Sequence, residues 1–119
     1  FIDAKKVKNV LSLSVFSDIK DYKIFKERKF CQLVPYETIT GKKVDEKVLI
    51  QGIIDLVAVK DGKAILVDYK ITTIESDDDV RSKYYTQLSL YKNAIESILG
   101  VTVEKVYIVN VLKEALIEV

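Results

Sequence analysis

The stretch GIIDLVAVKDGKAILVDYK, residues 52–70, decides how this chain is read. Two runs rich in β-branched residues flank Asp61-Gly62, a dipeptide suited to the positive φ values of a two-residue hairpin turn. Closing the hairpin there places Lys60 opposite Lys63 and, counting outward, Asp55 opposite Asp68. The two carboxylates then face each other with Cβ atoms roughly 4.5–5.5 Å apart. Lys70 stands two residues beyond Asp68 and therefore on the same face. By the same alternation Ile53 and Val57 share the face of Asp55, and Leu66 that of Asp68, so this face reads as buried. Facing carboxylates among apolar side chains repel each other and lose hydration unless a cation or a shared proton compensates. A simple salt bridge would need Lys70 and only one acid, leaving the other without a reason. Asp55, Asp68 and Lys70 together read as a divalent-metal site with a positive group beside it.

Composition narrows the metal and the chemistry. The chain has 119 residues, 49% of them hydrophobic, enough for one domain with a real core. It has no histidine, so the usual general base and the commonest transition-metal ligand are missing. A metal here is oxygen-bound, which favours Mg²⁺ or Mn²⁺ over Zn²⁺. The single cysteine, Cys31, rules out an internal disulfide framework and a cysteine-built cluster, and fits a reducing compartment. No apolar run reaches the ~18 residues of a membrane span, and residues 1–10 are too charged for a signal peptide. The chain starts at Phe1 and has no methionine, which fits a segment of a longer protein.

The net charge of +1 hides an asymmetry: residues 1–43 carry ten Lys/Arg against five Asp/Glu, and residues 44–119 carry nine against thirteen. A basic first third beside an acidic centre suits a polyanion held over a metal. Solvated helix and loop faces account equally well for Lys5, Lys6, Lys8, Lys20, Lys23 and Lys26.

Around the hairpin, residues 3–20 read as helical, in one or two pieces, with Val7, Val10, Leu11 and Val15 at helical spacing. Residues 22–33 turn strand-like and Pro35 ends or bulges that strand. Residues 36–40 read as a short strand before the polar turn 41–47, and 48–59 and 63–70 are the hairpin strands. Residues 71–79 read as a loop ending in the acidic run 75–79, which lacks the glycine and ligand spacing of a calcium loop and is ordinary capping and dipole chemistry ahead of a helix. That helix spans 80–99, with Tyr84, Leu88, Tyr91, Ile95 and Ile98 on its apolar face, and Gly100 stops it. Strands follow at 105–111 and 114–119. The order predicts an α/β or α+β sandwich on a mixed sheet, with strand 63–70, the helix and strand 105–111 forming a crossover unit.

Three segments then converge: VLIQGIID at 48–55, ILVDYK at 65–70 and YYTQLSLY at 84–91, preceded by ERKF at 27–30. In this order and spacing, across residues 20–111, they resemble the RecB-type nucleases of the PD-(D/E)XK superfamily, most nearly the C-terminal nuclease domain of AddA-type helicase–nucleases. The resemblance implies a restriction-endonuclease-like αβββαβ core over residues 1–119, as a C-terminal segment of a bacterial cytoplasmic enzyme. It implies a magnesium-dependent DNA phosphodiesterase, with Mn²⁺ as a substitute, working in double-strand break repair and recombination.

The same resemblance assigns roles. Asp55 and Asp68 match the metal-binding acids, with the main-chain carbonyl of Tyr69 as a further ligand. Lys70 matches the catalytic lysine, Gln87 and Tyr91 the element that supports the lysine and the DNA, and Glu27 a recurrent acid. The implied partners are single-stranded DNA or duplex ends, a helicase region of the same parent chain and a second helicase–nuclease subunit, with no membrane. In one respect the chain departs from the pattern: the metal-binding histidine of these nucleases is absent, and truncation upstream of Phe1 accounts for it. The cysteine cluster of some relatives is also absent, so no iron–sulfur cluster is expected. Two other readings remain open: a nuclease-like module that only docks or binds DNA, and an α/β domain whose acids form salt bridges.

Overall fold

The computed structural model describes residues 5, 9, 13–35, 41, 46–74 and 76–119, and of residues 32, 34, 35, 48 and 50 the backbone alone. The expected strand at 36–40 and residues 3, 4, 6–8 and 10–12 of the helix expected at 3–20 lie outside the described residues. The elements run α1 (Ser14–Asp18), β1 (Lys23–Pro35), β2 (Lys47–Lys60), β3 (Lys63–Lys70), α2 (Asp77–Leu99), β4 (Thr102–Asn110) and β5 (Ala115–Glu118). They form an α+β fold on one five-stranded sheet in the order β1-β2-β3-β4-β5.

The hairpin forms in the expected register. Asp61 and Gly62 both take positive φ, 52° and 76°, the condition for a turn whose twist matches the strands it joins. Pairing runs from Lys60 opposite Lys63 to Leu56 opposite Val67. β4 lies parallel to β3, which requires the crossover that α2 supplies. The helix starts at Asp77, three residues before the expected 80, because Ser76 caps it, and it ends at Leu99 as expected. Ser76 Oγ accepts from the Asp79 amide at 3.4 Å, three aspartates fill the first turn, and Gly100 closes the end at φ 65°.

Each face of the sheet carries a hydrophobic layer. On one side Val80, Leu88 and Ile95 of α2 pack against Ile54, Val57, Leu66 and Ile108. On the other, Val15 and Ile19 from the first helical turn and its exit pack against Leu56, Ala58, Ile65, Val67 and Val109. Both faces of β3 are therefore covered, which explains its unbroken apolar run Ala64–Val67. Ile98 departs from expectation, being 46% exposed; the seam is continued by Leu99, which packs on the core four residues after Ile95. Among the described residues no helix is long and apolar enough to cross a membrane.

One irregularity sets the shape of the functional region. Ile54 and Leu56 are two residues apart in one strand, yet they belong to layers on opposite sides of the sheet. Phe25 and Phe30, five apart in β1, face the same layer. The pleat thus slips in both strands together, between Lys26–Leu56 and Arg28–Ile54, where Glu27 and Asp55 form no rung. Glu27 takes φ 51°, a value uncommon outside glycine and asparagine; one residue is skipped on each strand, so the register is kept and the slip is a local break in the pleat. One expectation fails at this point. Ile53 does not share a buried face with Asp55 and Val57; it is 49% exposed, and Ile54 takes the inward place.

Candidate active site

The β2–β3 ladder ends at Leu56–Val67, one step before Asp55 and Asp68 would pair. There a side chain replaces the backbone rung: the Tyr69 amide donates to Asp55 Oδ2 at 2.8 Å. Beyond this point β2 continues with β1 while β3 continues with β4, so the two carboxylates sit where the strands part. Further along β3, the Lys70 carbonyl accepts from the Val111 amide at 2.9 Å, on the β4 side. Successive peptide groups of a strand point to opposite sides, so the Tyr69 carbonyl, like its amide, faces the gap that holds Asp55.

Asp68 is 5% exposed. Burial above all, and then the adjoining Asp55 carboxylate, push its carboxyl up to about 6, against the opposing pull of Lys70. Lys70 Nζ lies 3.0 Å from Asp68 Oδ2, an oxygen cut off from solvent. An ionised, buried carboxylate with a second carboxylate beside it is costly even with one ammonium in contact.

The Lys70 ammonium is held on three sides. Besides Asp68, it donates to Gln87 Oε1 at 3.0 Å and lies 4.7 Å from the centroid of the Tyr84 ring, a cation–π distance. Gln87 Nε2 in turn donates to Tyr91 Oη at 3.1 Å. Lysine can only donate, so this chain fixes the orientation of the Gln87 amide, with its oxygen toward Lys70.

The expected residues therefore come together: Asp55, Asp68 and Lys70 at the parting of β2 and β3, and Gln87 and Tyr91 above them on α2. Glu27 stands differently. It is exposed and lines a cleft of about 400 Å³ with Lys26, Asp55, Leu56 and Tyr69. Among the described residues no group of three His, Cys, Asp or Glu side chains forms a metal cage, so Glu27 does not complete one with the two aspartates.

The donor set suits a hard divalent cation: two carboxylates, one of them buried, and a main-chain carbonyl facing the same gap. Two contributors escaped the sequence reading. Tyr84 read as core because it sits on the apolar stripe of α2, and nothing in the sequence marked its ring as the support of an ammonium. Asn110, 1% exposed and registered beside Lys70, donates to the Thr72 carbonyl at 3.1 Å, tying down the loop that leaves the lysine.

Comparison with known proteins gives the family. Residues 3–117 match the PD-(D/E)XK nuclease superfamily. Curated relatives, each named as a subunit of an ATP-dependent helicase/nuclease, are similar over shorter stretches. The one from Clostridium kluyveri is 44% identical over 64 residues, 54% of this chain and 5% of that protein. The one from Oceanobacillus iheyensis is 40% identical over 81 residues, 63% of this chain and 6% of that protein. The one from Ruminiclostridium cellulolyticum is 29% identical over 121 residues, 90% of this chain and 10% of that protein. The chain thus spans a tenth or less of the length of these relatives.

Proposed function

Because this chain belongs to the PD-(D/E)XK nuclease superfamily, we propose that it hydrolyses DNA phosphodiester bonds with Mg²⁺ held by Asp55, Asp68 and the Tyr69 carbonyl. The observation that carries the reading is the buried Asp68 carboxylate, set beside a second carboxylate and a held lysine. A divalent cation held by Asp55, Asp68 and the Tyr69 carbonyl would offset charge on the phosphate oxygens and lower the pKa of water so that it could lose a proton and attack at neutral pH, so the lack of histidine is no obstacle.

The remaining roles follow from the side chains themselves. The Tyr69 amide fixes the Asp55 carboxylate from behind. Gln87 and Tyr84 hold the Lys70 ammonium where it faces Asp68, placed to orient the attacking water and to offset charge that grows on phosphate in the transition state. Tyr91 Oη accepts from Gln87, which leaves its own proton for a phosphate oxygen of the DNA.

The names of the relatives extend the proposal. We infer a longer bacterial cytoplasmic polypeptide in which this domain is coupled to a helicase region and to a second subunit. It would degrade single strands or duplex ends during double-strand break repair.

Cleavage of single-stranded DNA by that polypeptide tests the reading. Activity is expected with Mg²⁺ or Mn²⁺, none with excess chelator, and none from Asp55→Ala under any of these conditions. Cleavage by Asp55→Ala at the wild-type rate would refute the assigned centre. DNA binding without cleavage by the wild type would instead favour a docking module.

A further inference from the structure

Gly52 has an ordinary negative-φ backbone, unlike the chain's other glycines, so conformation does not explain it. Space does. A Cβ at this position would stand 2.7 Å from Phe30 Cε1, 2.9 Å from Phe30 Cζ and 3.0 Å from Tyr91 Cε1. Phe30 is the cross-strand partner of Gly52, and its buried ring lies over the bare backbone there, the way aromatic rings cover glycines in sheets. On that ring rests Tyr91, edge to face, with centroids 5.1 Å apart and planes at 77°, the geometry aromatic pairs prefer. Tyr91 accepts from Gln87, and Gln87 accepts from Lys70. The contacts run without a gap from the β1–β2 ribbon to the ammonium.

We propose that Gly52 and Phe30 are positioning residues for the reaction: they set the seat of Tyr91, and through Gln87 they set the place of the Lys70 ammonium. The inference rests on the nuclease reading of the site. Neither residue reaches the carboxylates or carries a group with chemistry of its own. Their effect is mechanical. A methyl group at 52 cannot enter without moving the Phe30 ring or Tyr91, and Tyr91 cannot move without releasing or dragging the Gln87 amide. The slip in the pleat beside Glu27 and Asp55 turns Phe30 and Gly52 toward α2, so the irregularity that opens the strands also brings this seat under the helix.

The test exploits volume. Gly52→Ala adds one carbon to the seat and Phe30→Leu removes ring atoms from the same place, so the double variant restores the volume that each single variant disturbs. Each single variant is expected to lower kcat roughly tenfold to a hundredfold, as a misplacement of about 1 Å does, with KM for DNA within about twofold. The double variant should recover most of the lost kcat, a coupling that only neighbours show. Tyr91→Phe keeps the ring and removes the hydroxyl; it should reproduce the fall in kcat without a fall in melting temperature. A lower melting temperature in Gly52→Ala with kcat of the folded protein unchanged would overturn the proposal, as would singles whose losses simply add in the double. Lys70→Ala, assayed alongside, separates the two levels: wild-type cleavage by it would sink the nuclease site and this inference together. Loss of cleavage by Lys70→Ala with a normal Gly52→Ala would sink the inference alone.

Discussion

Asp68→Asn is expected to abolish DNA cleavage and, in the same protein without metal, to raise the melting temperature. Both effects have one cause. The Asp68 carboxyl is buried beside Asp55, and its pKa is pushed up to about 6 from 3.8. A group whose folded pKa is raised lends its stability below the unfolded value, and that stability is lost as pH rises through the folded value. At pH 7.5 the wild-type fold therefore carries an ionised carboxylate that unfolding would relieve. Asparagine has the same shape without the charge. The gain should be on the order of 1–2 kcal/mol, several degrees in a domain of this size. It should shrink as the pH falls from about 6 toward 4, because the wild type then protonates. The loss of activity follows from removing an anionic ligand, since the charge stabilisation a metal supplies is worth several kcal/mol, on the order of a thousandfold in rate. Calorimetry across pH and an endpoint cleavage assay read both. A less stable Asp68→Asn at pH 7.5 would show that the fold relies on the Asp68–Lys70 pair and that the carboxylate is structural.

Lys70→Ala is expected to separate metal binding from catalysis. The ammonium lies 3.0 Å from Asp68 Oδ2, so it competes with a cation for the same oxygen. Its removal takes a like charge away from the metal and should tighten Mn²⁺ binding, roughly tenfold for about 1.4 kcal/mol of relieved repulsion. Cleavage should nonetheless fall by two to three orders of magnitude, the loss typical of one charged group aimed at a developing anion. Titration of Mn²⁺ by electron paramagnetic resonance, beside single-turnover cleavage, checks the two halves. Weaker Mn²⁺ binding would mean that Lys70 serves to hold Asp68 in place, and wild-type cleavage would remove it from the chemistry.

Much of this arrangement is legible in the residues. Asp61-Gly62 sets the hairpin register, which in turn carries Asp55, Asp68 and Lys70 to one end of β3. Gly100 marks the end of α2, whose start at Asp77 lies three residues before the expected one, and the spacing of Gln87 and Tyr91 puts both over the same turn. What stayed hidden was the slip in the pleat. Strict alternation assumes a continuous strand, and Glu27 breaks it at positive φ although glutamate carries no turn signal. The slip turned Ile53 outward and Ile54 inward, and it brought Phe30 against the α2 layer. Gly52 was equally opaque, because its reason is a ring from another strand and not its own backbone. Such facts belong to packing between segments, which local patterns do not encode.

Whether Asp55 and Asp68 share a divalent cation can be read from a crystal structure of the protein with Mn²⁺, collected at a wavelength where manganese scatters anomalously. The expected result is one anomalous peak between the two carboxylates, within about 2.3 Å of each and of the Tyr69 carbonyl oxygen, with Lys70 moved off Asp68 Oδ2. Saturating Mn²⁺ with no peak at that place, and Asp68 still beside Lys70, would contradict it.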